Sequence, residues 1–379
     1  MKVQGDWLEA QATQHVFHLL TAGGHRALAV GGCVRNAALG APVADIDIAT
    51  DAPPTRVTAL AEGAGLKVVP TGLDHGTVTV MSGGVPHEVT TFRRDVETDG
   101  RRAKVAFSTE VAEDAGRRDF TMNALYAEAD GTVIDPLGGL ADLKAGHVRF
   151  IGVPEDRIRE DYLRILRFFR FTAWYGDPDL GLDAEGLAAC AALQDGLDGL
   201  SRERVGHEIR KLLGAPDPSM AVASMARVGI LTRLVPGADA TALAPFVAMG
   251  PSDWVARLAL VGGDLSGLRL SKAEERDLSA LTAASRDDSA PFALGDMLGA
   301  RAQDALRIRA ALLGRPVDPR HLEEARRGAD ERFPLKAADF QPDLSGPALG
   351  HALDRARQMW RARRGRIDRA KLIAAAKRP

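Results

Sequence analysis

Cysteine is scarce in this chain of 379 residues: only Cys33 and Cys190 occur. That excludes a disulfide-stapled scaffold and fits a reducing cytoplasm. Long hydrophobic runs are missing too. No stretch reaches the ~18 uncharged apolar residues that a membrane-spanning helix needs, and the opening residues lack the basic start, apolar core and cleavage site of a secretory signal. Neither sign of charge dominates, with 49 Lys and Arg against 51 Asp and Glu. A uniformly basic nucleic-acid coat is thereby excluded, though a locally basic groove is not. Aromatic residues make up only 5%, so any bound nucleic acid is expected to be held by charge more than by stacking. The nine histidines are scattered, with no H-x-x-x-H and no paired His-Asp string, which speaks against a metal-dependent phosphohydrolase module. What is present is ordinary globular material: 45% hydrophobic and 26% charged residues, enough to bury real cores in roughly two to four domains.

The first ~145 residues differ from the rest. His25 to Val30, Asp45 to Ala49, Thr77 to Met81 and Val85 to Thr91 are short runs rich in Val, Ile and Thr, bounded by Gly-rich turns. They are predicted strands, with helices over Cys33 to Leu39 and Thr55 to Ala64 between them. Beyond Phe150 the strand signal fades. Pro154 opens a helix expected to continue through Glu160 to Arg170. Ser201 is an expected N-cap, and Ser271 with Glu274 an expected capping box. Charge is uneven along the chain. From His351 to Pro379 ten Lys and Arg stand against two Asp, a local net of +8 where the whole chain carries −2. Such a tail suits an anionic polymer, or is simply a solvated helix end.

Three constellations carry chemistry. In the first, Gly31 and Gly32 end a strand and a helix follows, carrying Arg35 in its first turn. Glycine lets a ligand approach the backbone, and open amides with an arginine favour phosphate. Asp45 and Asp47 come next, two apart on a predicted strand, so their carboxylates share a face while Ile46 and Ile48 turn the other way. A bare D-x-D is usually a solvated strand end; beside a Gly-Gly-x-x-Arg turn it points to a divalent cation, with Mg²⁺ the natural partner of hard oxygens and substrate phosphates. In the second, Arg117-Arg118-Asp119 with Asn123 can meet a triphosphate and a ribose together. In the third, Glu160-Asp161-Tyr162-Leu163-Arg164 and Arg167 place Asp161, Arg164 and Arg167 three apart on an expected single helix. A surface salt bridge is the plain alternative there.

Together these strings resemble the nucleotidyltransferases of the DNA polymerase β superfamily. More narrowly, Gly31-Gly32-Cys33-Val34-Arg35-Asn36 followed by Asp45-Ile46-Asp47 resembles the class II branch of CCA-adding tRNA nucleotidyltransferases and bacterial poly(A) polymerases. That branch often has Asp where this chain has Asn36. The resemblance implies catalytic Mg²⁺ on Asp45 and Asp47, with Glu88 as a third acid, although Glu88 reads equally as an outward residue of an edge strand. It implies phosphate contacts from Gly31, Gly32 and Arg35, and nucleotide contacts from Arg118, Asp119 and Asn123. Asp161, Arg164 and Arg167 would form a protein template, selecting C or A by an acceptor and a donor fork. Thr91 to Phe107 reads as a mobile surface loop, which in CCA-adding enzymes is needed for the final A; Ala103 replaces the family's common proline. Ser201 to His207 resembles an element bracing the template helix, and Asp135 to Gly139 a hinge-like segment. The implied fold is α+β: a mixed-sheet catalytic head over 1–145, a helical neck over 146–215, a helical body over 216–330 and a basic helical tail over 331–379. The implied partners are tRNA, CTP and ATP, with no membrane and no protein partner, in the cytoplasm. Poly(A) polymerase, CC-only or A-only addition, and a non-catalytic RNA-binding scaffold remain alternatives.

Overall fold

A computed structural model describes residues 1–99, 102–341 and 343–377, with the backbone alone at 74, 95–99 and 102–105. The chain folds as two compact units, Met1–Arg204 and Val205–Pro379.

The first unit runs α1 (Asp6–Glu9), α2 (Gln11–Ala22), β1 (Ala27–Val30), α3 (Gly32–Ala38), β2 (Ile46–Thr50), α4 (Pro54–Gly63), β3 (Lys67–Gly72), β4 (Thr77–Ser82) and β5 (Val85–Thr91). It continues with β6 (Arg93–Asp99), β7 (Arg102–Phe107), α5 (Val111–Gly116), β8 (Tyr126–Ala127), β9 (Val133–Ile134), α6 (Gly139–Ala145), α7 (Pro154–Glu160), α8 (Leu163–Tyr175) and α9 (Ala184–Ala192), and α10 (Arg202–Leu213) begins at its end. Among the described residues the main sheet has the order β3-β4-β5-β2-β1-β8-β9. It is mixed: β2 and β5 run parallel and the other neighbours antiparallel. The predicted strands and early helices are found within a residue or two. Alternation on β2 is as expected: Ile46 and Ile48 are buried while Asp47 is half-buried on the opposite side.

Two expectations are corrected. The segment from Thr91 to Phe107 is not an irregular loop: β6 and β7 pair as an antiparallel hairpin, Arg93 opposite Phe107 and Asp99 opposite Arg102. β6 is mostly charged (Arg93, Arg94, Asp95, Glu97, Asp99), so only β7, with Ala103, Val105 and Phe107, carries an alternation. Gly100 and Arg101 at its tip lie outside the described residues. The second correction concerns the helix after Pro154. Pro154 does open α7, but the chain turns extended at Asp161 (φ −157°, ψ 106°) and a separate helix starts after Tyr162. The Asp161 side chain accepts from the Leu163 amide at 3.1 Å, a local bond that competes with helix continuation.

Phenylalanines fix α8 against the sheet domain. Phe120 lies 4.8 Å from Phe171 and 5.0 Å from Phe150 between ring centroids, and Phe150 stacks on Phe168 at 5.4 Å. All four are buried. Truncating any one to alanine is expected to cost about 3–5 kcal/mol.

The second unit is helical: α11 (Ser219–Arg227), α12 (Ile230–Leu234), α13 (Leu243–Ala248), α14 (Trp254–Val261), α15 (Lys272–Arg286), α16 (Pro291–Leu298), α17 (Ala302–Leu312), α18 (Pro319–Asp330), α19 (Gly346–Ala362) and α20 (Arg369–Ala376). The Ser271–Glu274 capping box is present. Helices α16 and α18 touch through glycine: a Cβ on Gly295 would stand 2.0 Å from the Ala325 carbonyl oxygen. The tail residues Leu335, Phe340, Trp360, Leu372 and Ala376 bury one core with Phe292. Among the described residues no helix is long and apolar enough to cross a membrane.

Candidate active site

The strand pairing decides where the acids lie. In the parallel β2–β5 register Asp47 stands beside Glu88, and adjacent residues of neighbouring strands share a face. β5 lies between β4 and β2, so Glu88 is on an interior strand and not at an edge. Asp45 immediately precedes β2 and is exposed, as is Glu88. Burial, then the charges of Glu88 and Asp45, push the Asp47 carboxyl up to about 6, with Arg118 pulling against them. Asp47 thus feels both neighbouring carboxylates, a crowding of like charge that Arg118 opposes. Among the described residues no group of three or more His, Cys, Asp or Glu side chains is arranged to hold a metal ion. The donors are chemically those of a hard divalent cation: carboxylates from Asp47 and Glu88 on adjacent strands and from Asp45 just before β2.

On the other side of β2 in the sheet is β1, which ends at the turn into α3. Gly31 has φ +72°, a conformation that strains any other residue. A Cβ there would also stand 3.4 Å from Arg118 Nη1 and 3.6 Å from the Asn123 carbonyl oxygen. The Gly31 amide is not open to phosphate, because it donates to the Leu125 carbonyl at 2.9 Å. The amides that follow, in the first turn of α3, are those without an acceptor inside the helix. Arg35 is also differently placed from the expected anion grip. It is 7% exposed. Nη1 donates to Asn123 Oδ1 at 2.8 Å, and Nη2 to the Tyr175 hydroxyl at 2.8 Å and to Asn36 Oδ1 at 3.0 Å. Its guanidinium lies 4.2 Å from the Tyr175 ring centroid, and its Nε is buried without a partner among the described residues. Burial is the main force lowering its pKa.

Asp119 ties the remaining pieces together. Its Oδ1 accepts from Asn123 Nδ2 at 3.0 Å and from the Phe120 amide at 2.9 Å; its Oδ2 accepts from Arg167 Nε at 2.7 Å. Burial would raise this carboxyl, but Arg167, the Asn123 bond and the charge of Arg164 outweigh it and hold it well below the usual range. A continuous hydrogen-bonded chain therefore runs from Arg35 through Asn123 and Asp119 to Arg167 on α8.

Asp161 sits at the helix break, where its Oδ2 accepts from Arg204 Nη2 at 2.6 Å. Arg164, on α8, donates to the carbonyls of Arg157 and Arg117, each at 2.9 Å, and to Glu160 at 2.5 Å. These bonds use three of the five guanidinium N–H donors and leave two. The carboxylate of Asp161 likewise keeps acceptor capacity. Sequence reasoning passed over Arg170, whose charge reaches Arg35; its spacing of three from Arg167 was the available signal. It also passed over Tyr175, whose contact with Arg35 spans 140 residues and left no local trace. Cys33 is buried, and burial pushes its thiol up to about 11, which leaves it inert as a nucleophile.

Carboxylates with a fixed arginine, Arg118, close enough to act on Asp47 are what attack at a nucleotide's α-phosphate requires, and they fit a nucleotidyltransferase. Family models agree: "Poly A polymerase head domain" matches residues 27–149, and "Probable RNA and SrmB- binding site of polymerase A" matches residues 179–241. The mouse protein "CCA tRNA nucleotidyltransferase 1, mitochondrial" is 32% identical over 93% of this chain and 87% of its own length. The CCA-adding enzyme of Geobacillus thermodenitrificans is 33% identical over 89% of each. The crystal structure of the Bacillus stearothermophilus CCA-adding enzyme in complex with CTP superposes with a TM-score of 0.71 at 30% identity, covering 94% of this chain and 92% of that one. The chain belongs to the family of CCA-adding enzymes, the CCA tRNA nucleotidyltransferases.

Proposed function

We propose that this protein adds C, C and A to the 3′ end of tRNA from CTP and ATP, without a nucleic-acid template, and releases pyrophosphate. The observation that carries the reading is the carboxylate group of Asp47, Glu88 and Asp45 on a sheet whose glycine turn is joined, through Asn123 and Asp119, to the arginines of α8.

In this reading Asp45 and Asp47 hold Mg²⁺, with Glu88 contributing from the neighbouring strand. When bound, the ion lowers the cost of ionising the attacking 3′-hydroxyl and neutralises charge on the departing pyrophosphate. The chain's own residues do the rest by positioning. Arg118 and the first-turn amides of α3 face the triphosphate. Arg35, gripped by Tyr175, orients Asn123, and Asn123 with Asp119 meets the sugar. Asp161 accepts from the exocyclic amine that C and A share, while the two remaining donors of Arg164 meet ring and carbonyl acceptors. U and G lack that amine at the matching place and leave buried polar groups unpaired. Arg167 holds Asp119 and lines the same face. Arg204 braces Asp161 from the start of α10. The division into head, neck, body and tail is retained as a functional one, with the tail on the tRNA. Two buried, unpaired thiols suit a reducing compartment, and we place the reaction in the cytoplasm.

The matching "polymerase A" descriptions favour a second reading, poly(A) synthesis. Sequencing the products made from all four nucleotides on a tRNA lacking its 3′ end separates the two. A product ending in CCA is expected; long A tails, or addition stopping at CC, would replace this function with a relative's.

A further inference from the structure

The charge of Arg118 reaches Asp47, yet a guanidinium on a flexible stem needs something to aim it. The structure supplies that in two residues outside the motif strings. Arg118 Nε donates to the Tyr126 hydroxyl at 3.1 Å, and Nη2 donates to Asp114 Oδ2 at 3.0 Å. The Tyr126 hydroxyl closes the ring by donating to the same Asp114 oxygen at 2.7 Å. The other carboxylate oxygen takes Arg117 Nε at 2.8 Å, so the carboxylate cannot rotate away. The Tyr126 ring lies under the guanidinium, 5.4 Å from its carbon. Tyr126 belongs to β8, next to β1 in the sheet, and Asp114 to α5, directly after the hairpin. Both side chains are buried. With Nε and Nη2 held, Nη1 is the arm that faces Gly31. Two arginines share one carboxylate, so positive charge is left over for an anion.

We propose that Asp114 and Tyr126 are positioning residues that clamp Arg118 so that its Nη1 edge meets the triphosphate of the incoming nucleotide beside Gly31 and Asp47. Neither touches the nucleotide. Their effect passes through the fork geometry of arginine, which lysine cannot reproduce. Burial would raise the Asp114 carboxyl, but Arg118, Arg117 and the Tyr126 hydroxyl hold it at about 2, so the clamp stays charged at any working pH. The inference rests on the reading that Arg118 faces the nucleotide, and the two can fail separately.

The test is the dissociation constant for CTP, by calorimetry on protein verified as folded by circular dichroism, for Tyr126→Phe, Asp114→Asn, Arg118→Lys and the double variant Tyr126→Phe/Arg118→Lys. Loss of one charge-assisted bond to Arg118 is expected to weaken CTP about tenfold in Tyr126→Phe. In the Arg118→Lys background the same change should shift binding less than about twofold, because the group being aimed is gone. Full additivity, or a lowered melting temperature with unchanged CTP binding in Tyr126→Phe, overturns the clamp and leaves the site reading intact. Unchanged binding in Arg118→Lys overturns the placement of the nucleotide on Arg118 itself. If Asp114→Asn fails to fold, Tyr126→Phe decides alone.

Discussion

Two sets of carboxylates in the first unit are treated in opposite ways. Asp47 sits beside Glu88 and Asp45, and burial with these like charges lifts it to about 6. Asp114 and Asp119 are more deeply buried, yet both are held low, each by two arginines or an arginine and an amide. In the second set every charge is met from within the chain. In the first set Arg118 opposes the like charges, and Asp47 is raised all the same. The difference separates carboxylates held ionised by partners within the chain from one whose ionisation a bound cation would favour, and it does so without reference to any motif.

The sharpest way to break this contrast is to delete one member of each set. Asp47→Ala, or Asp45→Ala, should lower nucleotide transfer about 10³-fold or more while the circular-dichroism spectrum is kept; normal turnover would end the metal assignment. Asp119→Ala should act on the fold as well, costing about 3–5 kcal/mol in chemical denaturation because Arg167 loses its buried partner. The acid responses should run in opposite directions. Asp47 folded titrates near 6, above the ~3.9 of an unfolded aspartate. Its penalty is therefore absent below about pH 4 and complete above 6. In Mg²⁺-free buffer Asp47→Asn should gain about 2–3 kcal/mol at pH 8 and nothing at pH 3.5. Asp114 folded sits near 2, so its contribution is present above about pH 4 and disappears as pH falls through 2. Asp114→Asn should flatten that acid limb, and a parallel limb in variant and parent would contradict the ion cluster. Smaller effects follow outside the two sets. Arg204→Ala frees Asp161 and should reduce discrimination of CTP over UTP about tenfold in kcat/KM. Arg363→Ala with Arg366→Ala, both exposed on the tail, should weaken tRNA binding and lower its salt slope by roughly 0.7–0.9 per lost phosphate contact.

That last pair replaces a cruder test. Deleting the whole tail would be that cruder test: Leu372 and Ala376 are core residues packed with Trp360, so deletion would unfold what it means to probe. Much of the tail's charge is also met locally. Arg357 and Arg361 clasp Asp296, Arg364 pairs with Glu324, Arg369 with Asp339 and Lys377 with Asp343. Composition counts charges but not their partners.

The same limit marks what was legible elsewhere. The alternation that buries Ile46 and Ile48 and turns Asp47 the other way, the proline at the start of α7 and the Ser271–Glu274 cap are local, and local rules found them. The amide of Gly31 is taken by Leu125, Arg35 by Tyr175 and Asp161 by Arg204, all distant in sequence and brought close only by the fold. The hairpin is mostly charged along β6, which hides its strand character, and β8 and β9 are two residues each, too short for a pattern to register.

The interruption at Asp161 has a consequence for how α8 is aimed. In an unbroken rod each added residue swings everything downstream by 100° about the axis. Here Phe168 and Phe171 seated against Phe120, with Arg164 fastened to the Arg157 carbonyl and to Glu160, set the azimuth of Arg164, Arg167 and Arg170. One extended residue lets the two helices take separate headings, and the row of guanidinium groups follows the second.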